Sequence, residues 1–190
     1  MKIDHTLYQG RPSDMRIPKE ERCYELLDAL GLEYWRVDHD HADTIEACEE
    51  VEGLLGCSIC KNLLLTNRQQ TQVYLLIMPG EKPFKTKLLS KQIGSARLSF
   101  ATPEQMLSLL DITPGSVSIL GLMNDREQQV RLLVDNDLKS PEFFGCHPCI
   151  NTSSLRLKTA DVFNVLLPAM HHEPSFVDLP WTVEELCNKK

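Results

Sequence analysis

SICKNLLLTNRQQTQVYLLIM, Ser58–Met78, holds two apolar runs, Ser58–Asn67 and Gln72–Met78, parted by the polar stretch Arg68–Thr71. Leu-, Ile- and Val-rich runs of this length on either side of a short polar turn read as a β-hairpin. On its N-terminal side, Ile17–Leu32 carries Cys23, Leu26, Leu27 and Leu30 on one helical stripe, with Gly31 as the stop. Glu33–His39 then alternates like a strand, and Thr44 can cap a second helix running through Val51 and Leu54 to Gly56, with acids in its first turn. On the C-terminal side, Thr86–Gln92 reads as helix and Arg97–Phe100 as extended. Thr102, Pro103 and Gln105 supply a cap, a first-turn proline and a capping-box partner for a helix ending near Leu110. Val130–Asp135 and Ser153–Leu157 are further strands, the latter followed by a helix that Thr159 would cap; the tail after His172 has no clear period. Strands and helices do not alternate strictly. The expected fold is therefore α/β of the α+β type, a mixed, largely antiparallel central sheet surrounded by helices rather than a doubly wound parallel sheet.

A chain of 190 residues supports one ordinary domain, here residues 1–172, with residues 173–190 as a C-terminal tail. Apolar residues make up 42% and charged residues 25%, values of an average soluble protein. Apolar runs fall short of the ~20 residues that cross a bilayer and the start is polar, so a cytoplasmic protein without a membrane partner is expected. Seven cysteines in such a chain are expected to stay reduced. The net charge of −7 argues against a protein that coats DNA or RNA through bulk electrostatics. A local basic rim is available in Lys82, Lys85, Lys87, Lys91 and Arg97, which are equally the charges of a solvated helix face.

Familiar catalytic signatures are missing: no Gly-x-Ser-x-Gly elbow, phosphate-binding Gly-Lys loop, dinucleotide fingerprint or His-Glu-x-x-His stands in the chain. What remains is local. Lys61 sits inside an apolar strand, where an ammonium needs an anion or a route to water. The turn Pro114-Gly115-Ser116-Val117-Ser118 can present backbone N–H groups to an oxyanion, or simply turn the chain. His147, in Gly145-Cys146-His147-Pro148-Cys149-Ile150-Asn151-Thr152, could be an acid, a base, a ligand or a structural residue. Cys57 with Cys60 and Cys146 with Cys149 have spacings that suit tetrahedral zinc, but the two pairs lie far apart in sequence and the first reads as strand. No metal and no cofactor is assigned.

Four segments in order resemble the YbaK-like superfamily of aminoacyl-tRNA editing domains, and within it the freestanding prolyl-tRNA deacylases. They are Cys60–Leu65, Arg97–Glu104, Thr113–Ser118 leading to Gly121–Asp125, and His147-Pro148 with Asn151-Thr152. The resemblance covers Pro18 to Leu167. It implies a hydrolase that removes a wrong amino acid, alanine above all, from tRNA(Pro), with prolyl-tRNA synthetase as a further partner. The family's essential lysine falls on Lys61, which would hold the phosphate or terminal ribose of the CCA end beside Asn62. The family's Gly-x-x-x-Pro loop falls on Gly115–Ile119, where the amides of Gly115, Ser116 and Val117 would fix the aminoacyl group and Ser118 and Ile119 would complete the pocket. Ile119 stands where the family has proline. By the same resemblance His147 lies beside the aminoacyl pocket, Pro148 and Asn151 shape its loop, and Thr44 lies near the entrance. An ester is already activated, so orienting it with a water can suffice without a covalent intermediate. The alternatives are a Cys- or Ser-tRNA deacylase of the same fold, or a non-catalytic sensor of aminoacyl-tRNA.

Overall fold

The computed structural model describes residues 2–41 and 45–182. In chain order the elements are β1 (Tyr8–Gln9), α1 (Pro18–Ala29), β2 (Tyr34–Asp38), α2 (Ile45–Leu55), β3 (Lys61–Asn67), β4 (Val73–Met78), α3 (Thr86–Gln92), β5 (Leu98–Phe100) and α4 (Pro103–Leu110). After a 3-10 turn at Ile119–Asn124 come β6 (Val130–Asp135), β7 (Phe143–Cys146), β8 (Ser153–Lys158), the helical residues 159–169 (α5) and β9 (Ser175–Val177).

The hairpin forms as its sequence predicts: β3 and β4 pair antiparallel with Lys61 opposite Met78 and Thr66 opposite Val73. Asn67 closes it, its side-chain oxygen accepting from the Thr71 and Gln72 amides at 2.9 and 3.1 Å. Alternation then divides the strand between two cores. Leu64, with Leu75 and Ile77, enters the main core shared with α1 and β8, while Leu65, with Tyr74, Leu76 and Met78, enters a second core under Leu89 of α3. Burial on both faces explains why β3 and β4 read as near-continuous apolar runs.

The mixed sheet surrounded by helices is present, but as two sheets rather than one central sheet. Five strands in the order β5-β3-β4-β6-β9 form the first, with β4, β6 and β9 mutually parallel. Four antiparallel strands, β1-β2-β8-β7, form the second. The sheets meet where Ile59 bridges Gly145 and the Cys60 amide donates to the Gly145 carbonyl at 2.9 Å. This approach is backbone against backbone. A Cβ on Gly145 would lie 2.4 Å from the Ser58 carbonyl oxygen, and one on Gly80 would lie 2.6 Å from that of Ile59. Two glycines therefore clamp Ser58–Cys60 immediately before Lys61.

Three local expectations change. Residues 173–182, taken as the start of a tail, supply β9 and pack Val177 and Leu179 into the second core. Lys82 is no rim charge. It is 1% exposed, and its ammonium lies 2.9 Å from Asp135, 2.7 Å from Asp137 and 2.8 Å from the Leu179 carbonyl. Thr159 does not cap α5: Lys158 occupies the cap position, and the Thr159 hydroxyl is buried without a hydrogen-bond partner among the described residues. The capping box at Thr102 and Gln105 is formed.

The clamp is directly testable. Gly145→Ala is expected to cost about 1–3 kcal/mol, because the colliding atoms are main chain and cannot rotate away. Gly53→Ala, on the open side of α2 where a Cβ meets nothing within 4 Å, should instead stabilise by about 0.5–1 kcal/mol. Urea unfolding of both variants measures the difference, and a Gly145→Ala midpoint equal to the parent's would show that the sheets are not held this way.

Candidate active site

At the junction of the two sheets lies a cavity of about 610 Å³, and every element that meets there contributes to its wall. The end of β2 supplies His39, α2 supplies Glu49 and Glu52, the clamped segment supplies Ile59, Cys60 and Lys61, and the following loop supplies Gly80 and Glu81. Gly115, His147, Asn151 and Ser154 complete it.

Lys61 is half-buried and does have a partner, though a neutral one: Nζ donates to the Lys82 carbonyl oxygen at 2.8 Å. Removal from water holds its pKa below the usual lysine value. An ammonium with one carbonyl bond retains two further N–H donors, which suits it to an oxyanion arriving from the cavity. Gly115 sits at φ +84° and Ser116 N donates to the Thr113 carbonyl at 3.1 Å, the pattern of a type II turn with Pro114 and Gly115 in its central positions. The positive φ explains glycine there.

The two histidines are linked through Ser154. His147 Nδ1 contacts the Ser153 carbonyl at 2.9 Å and Ser154 Oγ at 3.2 Å; His39 Nδ1 contacts the Asp40 carbonyl at 2.7 Å and its Nε2 meets Ser154 Oγ at 2.9 Å. A carbonyl only accepts, so in each neutral ring Nδ1 carries the proton. Ser154 then donates to His39 Nε2, and His147 Nε2 is an acceptor with no hydrogen bond from the described residues. Desolvation depresses both histidine pKa values, and the Ser153 carbonyl opposes this only in part at His147.

Ser154 beside His39 has the outline of a nucleophile with its base, but the serine is fully buried and its hydroxyl is committed to both imidazoles. Cys60 is no better placed, since burial drives its thiol far above the ordinary range, away from thiolate. Two polar features remain. Asn151 has a buried side-chain oxygen with no hydrogen-bond partner among the described residues. Glu52 accepts from the Ile59 amide at 2.7 Å, with its pKa raised by desolvation and by Glu81 and Glu49 nearby.

Of the residues singled out for a catalytic or substrate-binding role in the sequence, the structure brings Lys61, Gly115, His147 and Asn151 to one cavity. The others lie behind it. Asn62 points to the opposite face of β3 and donates to the Cys60 carbonyl at 2.7 Å. Ser118 is buried, donating to the His147 carbonyl at 2.5 Å and capping the 3-10 turn through Leu120 N at 3.2 Å, so it holds the histidine loop. Ile119 opens that turn inside the main core, a first-turn position where a proline would also fit. Ser116 and Pro148 are buried and Val117 packs against the core. Thr44 lies outside the described residues. His39, Ser154, Glu52 and Glu81 escaped sequence reasoning. Among the described residues no group of three or more His, Cys, Asp or Glu side chains is arranged to hold a metal ion.

The family model for the aminoacyl-tRNA editing domain matches residues 39–165. The chain belongs to that family, and its activity is aminoacyl-tRNA hydrolysis. Its matched segment opens at His39 and contains the whole cavity wall. The prolyl-tRNA editing protein ProX of Acetoanaerobium sticklandii is 31% identical over 140 residues, covering 74% of this chain and 85% of that protein. The prolyl-tRNA synthetase associated domain-containing protein 1 of Danio rerio is 26% identical over 162 residues, 84% of this chain and 85% of that one. A crystal structure of a candidate trans-editing enzyme for prolyl-tRNA synthetase superposes with a TM-score of 0.65 at 18% identity, covering 87% of this chain and 98% of that one. The branch that the sequence resembles is thus the branch in which its relatives lie.

The depressed pKa of His147 has a consequence for stability. Above about pH 6.5 the imidazole is neutral in both the folded and unfolded chain and adds no pH dependence. As pH falls below that value the unfolded chain takes up a proton that the folded chain resists, so stability drops until the folded pKa is passed. His147→Asn is expected to flatten the loss between pH 7.5 and pH 5.5 in urea titrations; a variant as acid-sensitive as the parent would refute it.

Proposed function

We propose that the chain is a trans-editing deacylase that hydrolyses the ester of mischarged tRNA(Pro), with alanine as the amino acid removed. The observation that carries this reading is the convergence of Lys61, Gly115 and His147 on one cavity. Lys61 holds the terminal phosphate or ribose of the CCA end. The amide edge of the Gly115 turn faces the ester carbonyl and stabilises the charge that develops on its oxygen. A water is oriented by His147 Nε2 and by the free ribose hydroxyl beside the ester, so that hydrolysis proceeds by positioning, with no covalent intermediate.

The carboxylates of Glu49, Glu52 and Glu81 line the same cavity, which suits the α-ammonium that an aminoacyl ester carries. Selection follows from size: a pocket that admits a methyl side chain and excludes the proline ring removes the error and spares the correct product. Delivery of tRNA by prolyl-tRNA synthetase would fit a domain of this size, and the cytoplasm is the proposed site of action. No helix among the described residues is long and apolar enough to cross a membrane.

Hydrolysis of Ala-, Cys-, Ser- and Pro-tRNA(Pro) by the purified protein, with and without chelator, tests the reading. Rapid loss of Ala-tRNA(Pro) alone, unchanged by chelator, is expected. Loss of the Cys or Ser species instead would reassign the substrate, and stability of all four would favour a sensor without turnover. Lys61→Ala should lower the rate by at least about 100-fold, the scale of one lost transition-state contact, while leaving the melting temperature nearly unchanged. A fully active variant would remove Lys61 from the mechanism.

A further inference from the structure

The charge of this chain is unevenly distributed. Residues 53–103 hold seven Lys and Arg and one acid, Glu81, whereas the rest holds thirteen Lys and Arg against twenty-six Asp and Glu. A basic stretch of +6 inside a protein of −7 is an asymmetry of the kind that marks a nucleic-acid contact.

The structure gathers much of that charge on one edge. β5 is the outer strand of the five-stranded sheet, and a surface concavity beside it is lined by Arg68, Thr86, Arg97, Leu98, Ser99 and Phe100. Lys87 and Lys91 of α3 are exposed along the same chain segment. Several other cations are matched: Arg11, Arg16, Arg22, Arg36, Lys82 and Lys158 all lie within ion-pair distance of a carboxylate. Among the described residues Arg68, Lys87, Lys91 and Arg97 make no such pair, and both arginines of the concavity are exposed. Phe100 lines the same concavity three residues along β5 from Arg97, opposite Leu65, 57% exposed and held edge-on by Phe84 at 6.4 Å between ring centroids. Unpaired cations beside an exposed aromatic ring are the elements of an RNA surface: charges for the phosphates and a flat apolar face for a base or ribose.

Register sets the distance from this edge to the cavity. Arg68 follows the last residue of β3 and Lys61 is its first, so the edge lies about 20 Å from the catalytic wall at about 3.3 Å per residue. At about 3.4 Å per stacked nucleotide, that is a span of about six nucleotides. The 3′ end of a tRNA has four unpaired nucleotides. With the terminal ribose at Lys61, the strand reaching Arg68 and Arg97 has therefore entered the first base pairs.

We propose that the edge lined by Arg68, Arg97 and Phe100, with Lys87 and Lys91 on the neighbouring helix α3, is the docking surface for the acceptor stem, which it grips through the sugar–phosphate backbone next to the CCA end. The proposal rests on the tRNA deacylase reading, and it assigns recognition beyond the terminal nucleotides to a face separate from the cavity. It also resolves how an acidic protein binds RNA: the acids lie largely outside this segment.

The test uses the double charge reversal Arg68→Glu/Arg97→Glu, with Arg68→Lys/Arg97→Lys as the conservative control. Neither residue lines the catalytic cavity. On full-length Ala-tRNA(Pro) the reversal is expected to raise KM at least tenfold with kcat unchanged, and the lysine variant to stay within about threefold of the parent. On a terminal fragment, alanyl-CCA, parent and reversal should be equally active, because the fragment ends before the edge. Retention of uncharged tRNA(Pro) on filters, followed against salt, should show a shallower slope for the reversal. An unchanged KM for tRNA, or an equal loss on tRNA and fragment, overturns the proposal, as would a reversal that loses only its association with prolyl-tRNA synthetase. If the parent hydrolyses neither substrate, the deacylase reading has failed, while filter retention still decides whether this edge holds the acceptor stem.

Discussion

Everything near the cavity depends on how closely Ser58–Cys60 passes between Gly145 and Gly80. Neither neighbour has a side chain to retract, and the contacts a Cβ would make there are with main-chain atoms. The segment joins the two sheets through Ile59 and the Cys60 amide, and it ends at Lys61. The main chain of Lys61 is thus set by backbone packing, and its ammonium is then held by the Lys82 carbonyl. Glu52 strengthens the arrangement from α2 by accepting the Ile59 amide, so helix, hairpin and second sheet converge on one residue.

The chemistry of the wall follows from burial without ion pairing. Lys61 bonds to a carbonyl, His147 bonds to a carbonyl and a hydroxyl, and Asn151 keeps a buried oxygen without a donor. Each group is desolvated and none is neutralised by an opposite charge in direct contact, which leaves its polarity directed at whatever enters. The buried thiols contribute nothing comparable, since Cys60 and Cys146 are driven towards their protonated forms by the same desolvation.

Much of the fold was legible because it is local. α3 and β6 have the bounds that periodicity assigns, and the hairpin and the capping box need no distant information. What escaped depends on partners far along the chain. β7 and β9 are short, β7 contains Gly145, and β9 is defined by parallel pairing with β6. Lys82 counts as a surface charge until Asp135 is seen to lie against it, 53 residues away. Within the site, Lys61 was conspicuous as a charge in an apolar run, whereas His39 and Ser154 belong to separate strands, and nothing in either strand announces their contact across 115 positions. The roles of Gly115, His147 and Asn151 came from resemblance, and it is the structure that brings them to a common cavity.

Lys82 has two ends with different duties. Its carbonyl accepts from the ammonium of Lys61, while its own ammonium, over the Trp181 ring at 4.8 Å, is tied to Asp135, Asp137 and the Leu179 carbonyl. The family match stops at residue 165, yet Leu179 and Trp181 lie beyond it. A single residue therefore wires a segment outside the shared domain to the lysine at its centre, through one main-chain oxygen that no side-chain replacement can remove. In this chain the segment that follows β9 is thus joined to the pocket through the two ends of one residue, without lining the cavity itself.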